Sequence, residues 1–184
     1  LTTLGENVFG ACSSLQTFAV ENGNTAFSVE NDVLMDAGKA TLFCYPPVKT
    51  GTTYTVPNTV TEIAPYAFAS AADLTDVTLP TGLQTIGAWA FSQTKLTSIT
   101  IPNTVTTIGS YAFCNAASLK QIQLPNSLQE LQAAAFWGCS SLEQVTLPNT
   151  LQEIPVYVFY GCTGLQKLTV PSSVQTIASE AFQG

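Results

Sequence analysis

Short segments in which apolar and polar residues alternate recur along the chain, each directly ahead of a proline. Alternation with a period of two is typical of a β-strand that buries one face. The proline has no N–H to give to a β-ladder, so it ends the strand. The pattern therefore predicts a series of short strands at Val77–Leu79, Ile99–Ile101, Ile122–Leu124, Val145–Leu147 and Leu168–Val170.

The prolines and a set of phenylalanines repeat with one common period. Each series advances by 23 residues, and once by 22, because one residue is missing between Phe91 and Leu96. Between strand and phenylalanine, the stretch Gly-x-aromatic-Ala-Phe fits one helical or 3₁₀ turn. A unit this short buries its apolar residues only against neighbouring units, which predicts a solenoid. The anchors are Pro57, Pro80, Pro102, Pro125, Pro148 and Pro171, and Phe68, Phe91, Phe113, Phe136, Phe159 and Phe182.

The unit combines L-x-x-V-x-L-P with I-G-x-x-A-F and G-C-x-x-L, the last seen in Gly138-Cys139-Ser-Ser-Leu142. This combination resembles the BspA-like leucine-rich-repeat proteins. It covers five complete units from Val60 to Pro171, with partial units at Leu1–Val20 and Val174–Phe182. The resemblance implies one domain over residues 1–184, a right-handed leucine-rich-repeat solenoid of the mainly β, horseshoe type. Parallel strands and short helical or 3₁₀ turns would form each coil of about 23 residues.

Residues 21–56 do not follow the period. They include Phe27–Val29, Val33–Met35 and Thr41–Tyr45, which alternate like strands and are separated by Asn, Asp and Gly residues typical of tight turns. We expect an irregular, hairpin-bearing repeat that keeps the core continuous; a binding insertion is the alternative. Related proteins of the resembling family often carry a similar degenerate repeat that ends in Tyr-Pro, as Tyr45-Pro46 does here.

The five cysteines predict packing more than chemistry. Cys12, Cys139 and Cys162 occupy one repeat position that alanine fills in other units, so we expect a small buried slot with free thiols. A disulfide between Cys139 and Cys162 is within Cα reach, but stacked side chains point the same way. Cys44 and Cys114 show no metal-binding spacing.

Composition excludes several classes of function. The chain has 184 residues, of which 46% are hydrophobic and 9% charged, with five Lys, no Arg, no His and a net charge of −7. Such a chain cannot neutralise a run of phosphates, so we expect no binding of nucleic acid. Without His the common general bases and most catalytic zinc sites are missing, and surface carboxylates such as Glu130 and Glu153 are not predicted to lie in a cleft. We therefore expect no enzyme activity, no cofactor and no metal.

No apolar run approaches the roughly 20 residues that span a bilayer, so we expect no membrane insertion by this part of the protein. A signal or anchor would lie outside it. The resemblance implies a secreted or surface-displayed bacterial protein that mediates adhesion. Its partner would be a host or cell-surface protein, or a glycan.

Two rows of polar residues on the predicted strands form the first candidate binding surface. Stacked coils would place them side by side as a flat, neutral, hydrogen-bonding face. In leucine-rich repeats generally, the exposed strands are the usual recognition surface; the alternative is that Thr and Gln are simply tolerated on exposed strands. The rows are Asp76, Ser98, Gln121, Gln144 and Lys167, and Thr78, Thr100, Gln123, Thr146 and Thr169.

Aromatic residues two positions before the repeat phenylalanine form the second candidate surface. The row consists of Tyr66, Trp89, Tyr111 and Tyr157, while Ala134 and Glu180 break the series. Trp137 and Tyr160 add a second pair just after the repeat phenylalanine. Exposed rings stack sugars or anchor a protein partner; alternatively, they cover the edge of the core. The sequence thus predicts a non-catalytic adhesion protein, with a carbohydrate-binding module or a passive spacer as alternatives.

Overall fold

The computed structural model describes residues 1–10 and 12–184, which wind into a solenoid of parallel strands. The predicted fold class is confirmed. The strands, in chain order, are β1 (Phe27–Glu30), β2 (Val33–Asp36), β3 (Thr41–Cys44), β4 (Thr53–Thr55), β5 (Glu62–Ile63), β6 (Asp76–Thr78), β7 (Thr85–Ile86), β8 (Thr107–Ile108), β9 (Gln121–Gln123), β10 (Glu130–Leu131), β11 (Gln144–Thr146), β12 (Glu153–Ile154), β13 (Lys167–Thr169) and β14 (Thr176–Ile177).

Two lines of parallel strands run along the solenoid. The three-residue strands, which precede the prolines, pair as β4–β6 and as β9–β11–β13. The two-residue strands after the prolines pair in the order β5–β7–β8–β10, and β12 pairs with β14. The sequence did not predict this second line, because a single buried apolar residue per strand is too short a pattern to show a period.

The stretch before each repeat phenylalanine is a series of turns, and the predicted helical turn is not seen there. The N–H groups of Tyr66 and Phe68 donate to the following coil, to Ala88 O at 2.9 Å and Ala90 O at 2.7 Å. The N–H of Ala67, between them, bonds within its own coil. Because every second N–H joins two coils, the consecutive bonds that define a 3₁₀-helix cannot form.

The repeat phenylalanines stack along the centre of the solenoid. From Phe68 to Phe182 neighbouring ring centroids lie 4.9 to 5.5 Å apart, at interplanar angles of 7° to 13°. Each such aromatic pair adds about 0.5–1.5 kcal/mol beyond the burial of its area. The phenylalanine series that defines the repeat is therefore the column that joins its coils.

Residues 27–44 form antiparallel strands that serve two clusters of apolar residues. β1 pairs with β2 and β2 with β3, after which β3 continues in parallel with β5. Val33 and Met35, on one face of β2, are fully buried in the main core. Leu34, between them, faces a smaller cluster with Phe27 and Cys44, against which residues of the first coil pack. Strand β2 therefore separates the two clusters, with Val33 and Met35 packed in the main core and Leu34 in the smaller cluster.

The first coil is held more loosely. Among the described residues, one backbone hydrogen bond joins residues 1–20 to the rest of the chain, from the N–H of Val48 to Leu15 O at 3.3 Å. Its apolar residues Leu4, Phe9 and Phe18 are only partly buried. This coil therefore lies beside the hairpin without continuing the phenylalanine column.

The cysteine slot is confirmed in two coils and wrong in the first. The thiols of Cys139 and Cys162 are buried and donate to Phe113 O at 3.1 Å and Phe136 O at 3.2 Å. Cys12 is exposed, in a coil whose apolar residues are only partly buried. Burial raises the pKa of the Cys44 thiol to about 12, so it stays protonated at neutral pH and is a poor nucleophile.

Candidate functional site

The three-residue strands present one continuous polar face, called the strand face below. In β6, β9 and β11 the central residue is buried, and both flanking residues are exposed. Gln144 lies in register between Gln121 and Lys167. In the second row Thr146 lies in register between its neighbours in β9 and β13. Strands in register bring these side chains to within about 5 Å of each other across the coils.

Two residues of the strand face were missed by the sequence analysis. Thr53 and Thr55 of β4 are exposed and pair in register with Asp76 and Thr78. They extend both rows by one coil towards the N-terminus. The signal was present, because Thr53-Tyr-Thr-Val-Pro57 has the alternation and closing proline of the other units, but it was included in the irregular stretch 21–56.

The prediction of a strand at 99–101 is wrong. Ile99 and Ile101 are buried as predicted, but these residues lie outside the strands. Ser98 makes only an isolated parallel bridge to Gln121, so the strand face divides into β4–β6 and β9–β11–β13. Ser98 and Thr100 are nevertheless exposed there, between the two halves.

The division falls at the coil that is one residue shorter than the others. In the next coil, a turn closed by the N–H of Leu119 bonding to Ala116 O, at 3.1 Å, leads into the strand. The 22-residue coil shows no such bond at Leu96 among the described residues. Instead, the Thr94 hydroxyl donates to Phe91 O at 2.9 Å. The chain still enters the strand position in register with the coil of β6, since the N–H of Thr97 donates to Thr75 O at 3.3 Å, but the pairing does not continue through residues 99–101.

A shallow groove of about 450 Å³ lies over the division. Its polar lining comes from both rows and includes Ser98, Thr100, Gln121, Gln123 and Thr146. Hydroxyl and primary amide groups both donate and accept hydrogen bonds, so this lining matches polar groups of either kind. Within the strands that form the two rows, the charged residues are Asp76 in β6 and Lys167 in β13, and the flanking residues of β9 and β11 are uncharged.

The aromatic row forms a ladder along another edge of the solenoid. Trp89 stacks on Tyr66 with ring centroids 6.0 Å apart and on Tyr111 at 4.3 Å, with interplanar angles of 3° and 12°. Where Ala134 breaks the row, Trp137 takes its place and lies 6.2 Å from Tyr111. The Trp137 ring also contacts Tyr157 and Tyr160, with centroid distances of 5.3 and 4.2 Å. The aromatic ladder is these six rings: Tyr66, Trp89, Tyr111, Trp137, Tyr157 and Tyr160.

The predicted aromatic row and the second pair, Trp137 and Tyr160, are thus brought together in one ladder. Sequence position alone did not show that Trp137, three residues later, reaches the same line. This repeat position has a left-handed backbone whether or not it carries a ring. The angle φ lies between 57° and 63° at Tyr66, Trp89, Tyr111, Ala134 and Tyr157. Such a conformation costs an L-residue about 1–2 kcal/mol and normally favours glycine, so Tyr, Trp and Ala at this position do not indicate it.

The acidic residues of the hairpin are used within the structure. Glu30 pairs with Lys39 at 2.5 Å, and Asp32 pairs with Lys49 at 3.0 Å. Asp36 accepts hydrogen bonds from the backbone of the following turn. In the part of the chain that the structure describes, no three His, Cys, Asp or Glu residues group as a metal site. Nor does that part contain a helix with the length and apolar character to cross a bilayer.

Comparison with protein families gives one match. The model of the BspA-type leucine-rich repeat region matches residues 43–139 and 88–184, with six repeat copies. None of the curated proteins is significantly similar to this chain.

Several solved structures share the fold. A leucine-rich repeat protein from Eubacterium ventriosum is 32% identical, with a TM-score of 0.81, over 100% of this chain and 56% of its own. The pneumococcal vaccine antigen PcpA is 26% identical, with a TM-score of 0.80, over 98% of this chain and 49% of its own. A leucine-rich repeat protein from Bacteroides ovatus is 27% identical, with a TM-score of 0.71, over 86% of this chain and 41% of its own. The chain therefore spans about half the length of the proteins it matches.

Proposed function

We propose that this chain, which belongs to the BspA-type leucine-rich repeat family, is a non-catalytic recognition module that binds a protein partner through its strand face. The observation that carries the proposal is the pair of exposed, in-register polar rows. Their positions are fixed, because the residue between each pair of exposed side chains is buried in the core. A rigid surface loses little conformational entropy when it binds.

The uncharged outward side chains of β9 and β11 support a protein partner over other classes. The Gln and Thr side chains match the mixed donors and acceptors of another protein's backbone and polar side chains. A nucleic acid or an anionic membrane needs a cluster of cations, which five Lys in a chain of net charge −7 do not supply. The groove at the division gives the otherwise flat face a concave centre.

The parent protein, in this proposal, is secreted or displayed on a bacterial cell surface and acts in adhesion. The support is the family and the bacterial source of the solved relatives, one of which is a vaccine antigen. Absence of His and the exposed position of carboxylates such as Glu130 and Glu153 support a binding role over a catalytic one.

Two alternative roles receive less support. Most rings of the aromatic ladder cover one another's faces, so the ladder as a whole is not a sugar-stacking platform. A passive spacer needs no organised face, whereas the strand face keeps Thr or Gln at most positions of two rows.

Substitution of three glutamines tests the proposal against an array of immobilised extracellular-matrix and plasma glycoproteins. Changing Gln121, Gln123 and Gln144 to Lys adds three positive charges to the strand face. The matched control makes the same change at three exposed glutamines outside the strand face, Gln84, Gln129 and Gln152.

We expect the strand-face variant to lose at least about ten-fold in affinity for whichever array protein the unmodified chain binds, because three buried, unpaired ammonium groups oppose binding. The control should bind as the unmodified chain does. If the unmodified chain, the strand-face variant and the control variant bind with equal affinity, the strand face is not the binding surface. No binding by the unmodified chain to any array protein contradicts adhesion to such proteins and favours the spacer.

A further inference from the structure

The aromatic ladder ends differently at its two ends. An inner ring such as Trp89 has a ring on each side. At the far end, the Tyr157 hydroxyl donates to the Glu180 carboxylate at 3.2 Å. At the near end, Tyr66 stacks on Trp89 alone, and no other ring of the described residues pairs with it. Tyr66 therefore has one ring face that no other ring of the described residues covers.

The hairpin is the cause of this open face. One period before Tyr66 the chain has Phe43, which lies in β3. Phe43 packs edge-on against Phe27, with centroids 5.7 Å apart and an interplanar angle of 64°. Phe43 thus packs against the smaller apolar cluster of Phe27, Leu34 and Cys44 and does not stack on Tyr66. A cleft of about 310 Å³ is left beside Tyr66, closed on its other side by residues of the first coil.

Polar groups surround the apolar floor of this cleft. The first coil contributes Glu6 and Asn7, and the opposite wall contributes Glu62, Ser70 and Gln93. The Ser70 hydroxyl donates to Gln93 Oε1 at 3.1 Å. The amide hydrogens of Gln93 have no partner among the described residues, so they are available to a ligand.

The geometry points to a binding site for one neutral pyranose unit, the C–H face of which lies on the Tyr66 ring. The carboxylates of Glu6 and Glu62 accept hydrogen bonds from sugar hydroxyls, and the Gln93 amide donates one. The cleft volume is at the lower end of small-molecule sites, which suits a single sugar unit at the end of a glycan. This site shares no residue with the strand face and does not depend on the proposed function.

Charge decides against anionic ligands, and ring geometry favours a sugar. No Lys lines the cleft, and the chain contains no Arg or His, so phosphate, sulfate and acidic sugars find no counter-charge. An organic cation would be attracted by two carboxylates. Four aromatic residues line the cleft, Phe9, Phe43, Tyr66 and Trp89. Phe9 and Phe43 pack edge-on against Phe18 and Phe27, whereas Tyr66 and Trp89 are parallel, at 3°, and offer the flat stacked surface that suits a sugar ring. An organic cation is the competing ligand, and the experiment below includes one as a probe.

Saturation-transfer NMR on the whole chain tests the site, with glucose, galactose and N-acetylglucosamine as probes at about 10 mM, since single sugars bind at millimolar affinity. Tetramethylammonium serves as the cationic probe. We expect transfer to the C–H protons of one sugar face. Tyr66→Ala should weaken it at least about ten-fold, and Tyr66→Phe should keep it, because the ring is retained.

Tyr157→Ala, at the same repeat position in another coil, is the matched control and should bind sugar normally. Alanine is tolerated there, since Ala134 occupies that position naturally with the same backbone conformation. No transfer to any of the three sugars, or equal transfer in Tyr66→Ala, overturns the inference. Binding of tetramethylammonium without sugar binding overturns the ligand class. Sugar binding that survives the strand-face glutamine substitutions separates this site from the proposed function.

Discussion

The strand face and the aromatic ladder both arise from repeat positions that recur once per coil. They differ in how much of each side chain remains accessible to a partner. On the strand face the side chains stand next to each other, and their polar groups point to solvent. In the ladder the rings stack on one another, at centroid distances down to 4.2 Å, so neighbouring rings of the protein cover most of the ring faces. Half-exposed aromatic residues in a repeat are therefore structural first, whereas exposed polar rows remain available to a partner.

Truncating one residue in each region gives the largest expected contrast. Trp89→Ala removes a ring that stacks on both neighbours and should lower the free energy of unfolding by about 2–4 kcal/mol. Gln123→Ala, on the strand face, should change it by less than about 0.5 kcal/mol. Urea unfolding followed by circular dichroism measures both. Equal losses would mean that the polar row is also structural.

The spacing of the ladder can be broken without touching a ring. Gly109 lies two residues before Tyr111, and a Cβ there would stand 2.5 Å from the backbone N of Ala88 in the preceding coil. Gly109→Ala should therefore cost about 1–3 kcal/mol, since packed backbone must move. Gly82, in the turn after β6, has open space around it, so Gly82→Ala is the control. If Gly109→Ala leaves the midpoint of thermal unfolding unchanged, the backbones of neighbouring coils can move apart at little cost.

The division of the strand face predicts a difference in amide hydrogen exchange. Residues 99–101 lie outside the strands, so their amides should exchange at least about ten-fold faster than those of Gln121–Gln123, a difference of about 1.4 kcal/mol in opening free energy. Residue-resolved exchange by NMR measures it. Uniform protection across 99–123 would contradict the division and restore a continuous sheet.

The smallest expected effect concerns the ladder's backbone. Ala134 is buried with φ at 57°, so Ala134→Gly should leave stability unchanged or raise it by up to about 1 kcal/mol. Ala112 is also buried but lacks a positive φ, and Ala112→Gly should cost about 1 kcal/mol. Calorimetry of both variants tests the difference. A loss at Ala134 equal to that at Ala112 would show that the left-handed position carries no strain.

The sequence predicts the part of the fold that repeats. Alternation before each proline and the phenylalanine period were enough for the solenoid and for the outward direction of residues such as Gln121 and Thr146. Burial patterns of this kind are local, and each coil repeats them. The pairing of strands is not local, which is why the sequence missed both the second line of strands and the loss of pairing at Ile99–Ile101.

The candidate surfaces show the same limit. Trp137 joins the ladder across Ala134 because of where its side chain reaches, which its repeat position does not encode. Thr53 and Thr55 join the strand face although the stretch before them is irregular. The cleft beside Tyr66 exists because Phe43 packs elsewhere, so it depends on a contact between elements that a linear pattern does not contain.

The central claim is that the strand face is the surface that meets a partner. The side-chain amide signals of glutamine in a ¹⁵N NMR titration report on it directly, with the array protein that binds the chain as titrant. If the strand face meets the partner, the signals of Gln121, Gln123 and Gln144 should shift or broaden while those of Gln84, Gln129 and Gln152 stay in place. Perturbation of the second set alone, or of both sets equally, would contradict it.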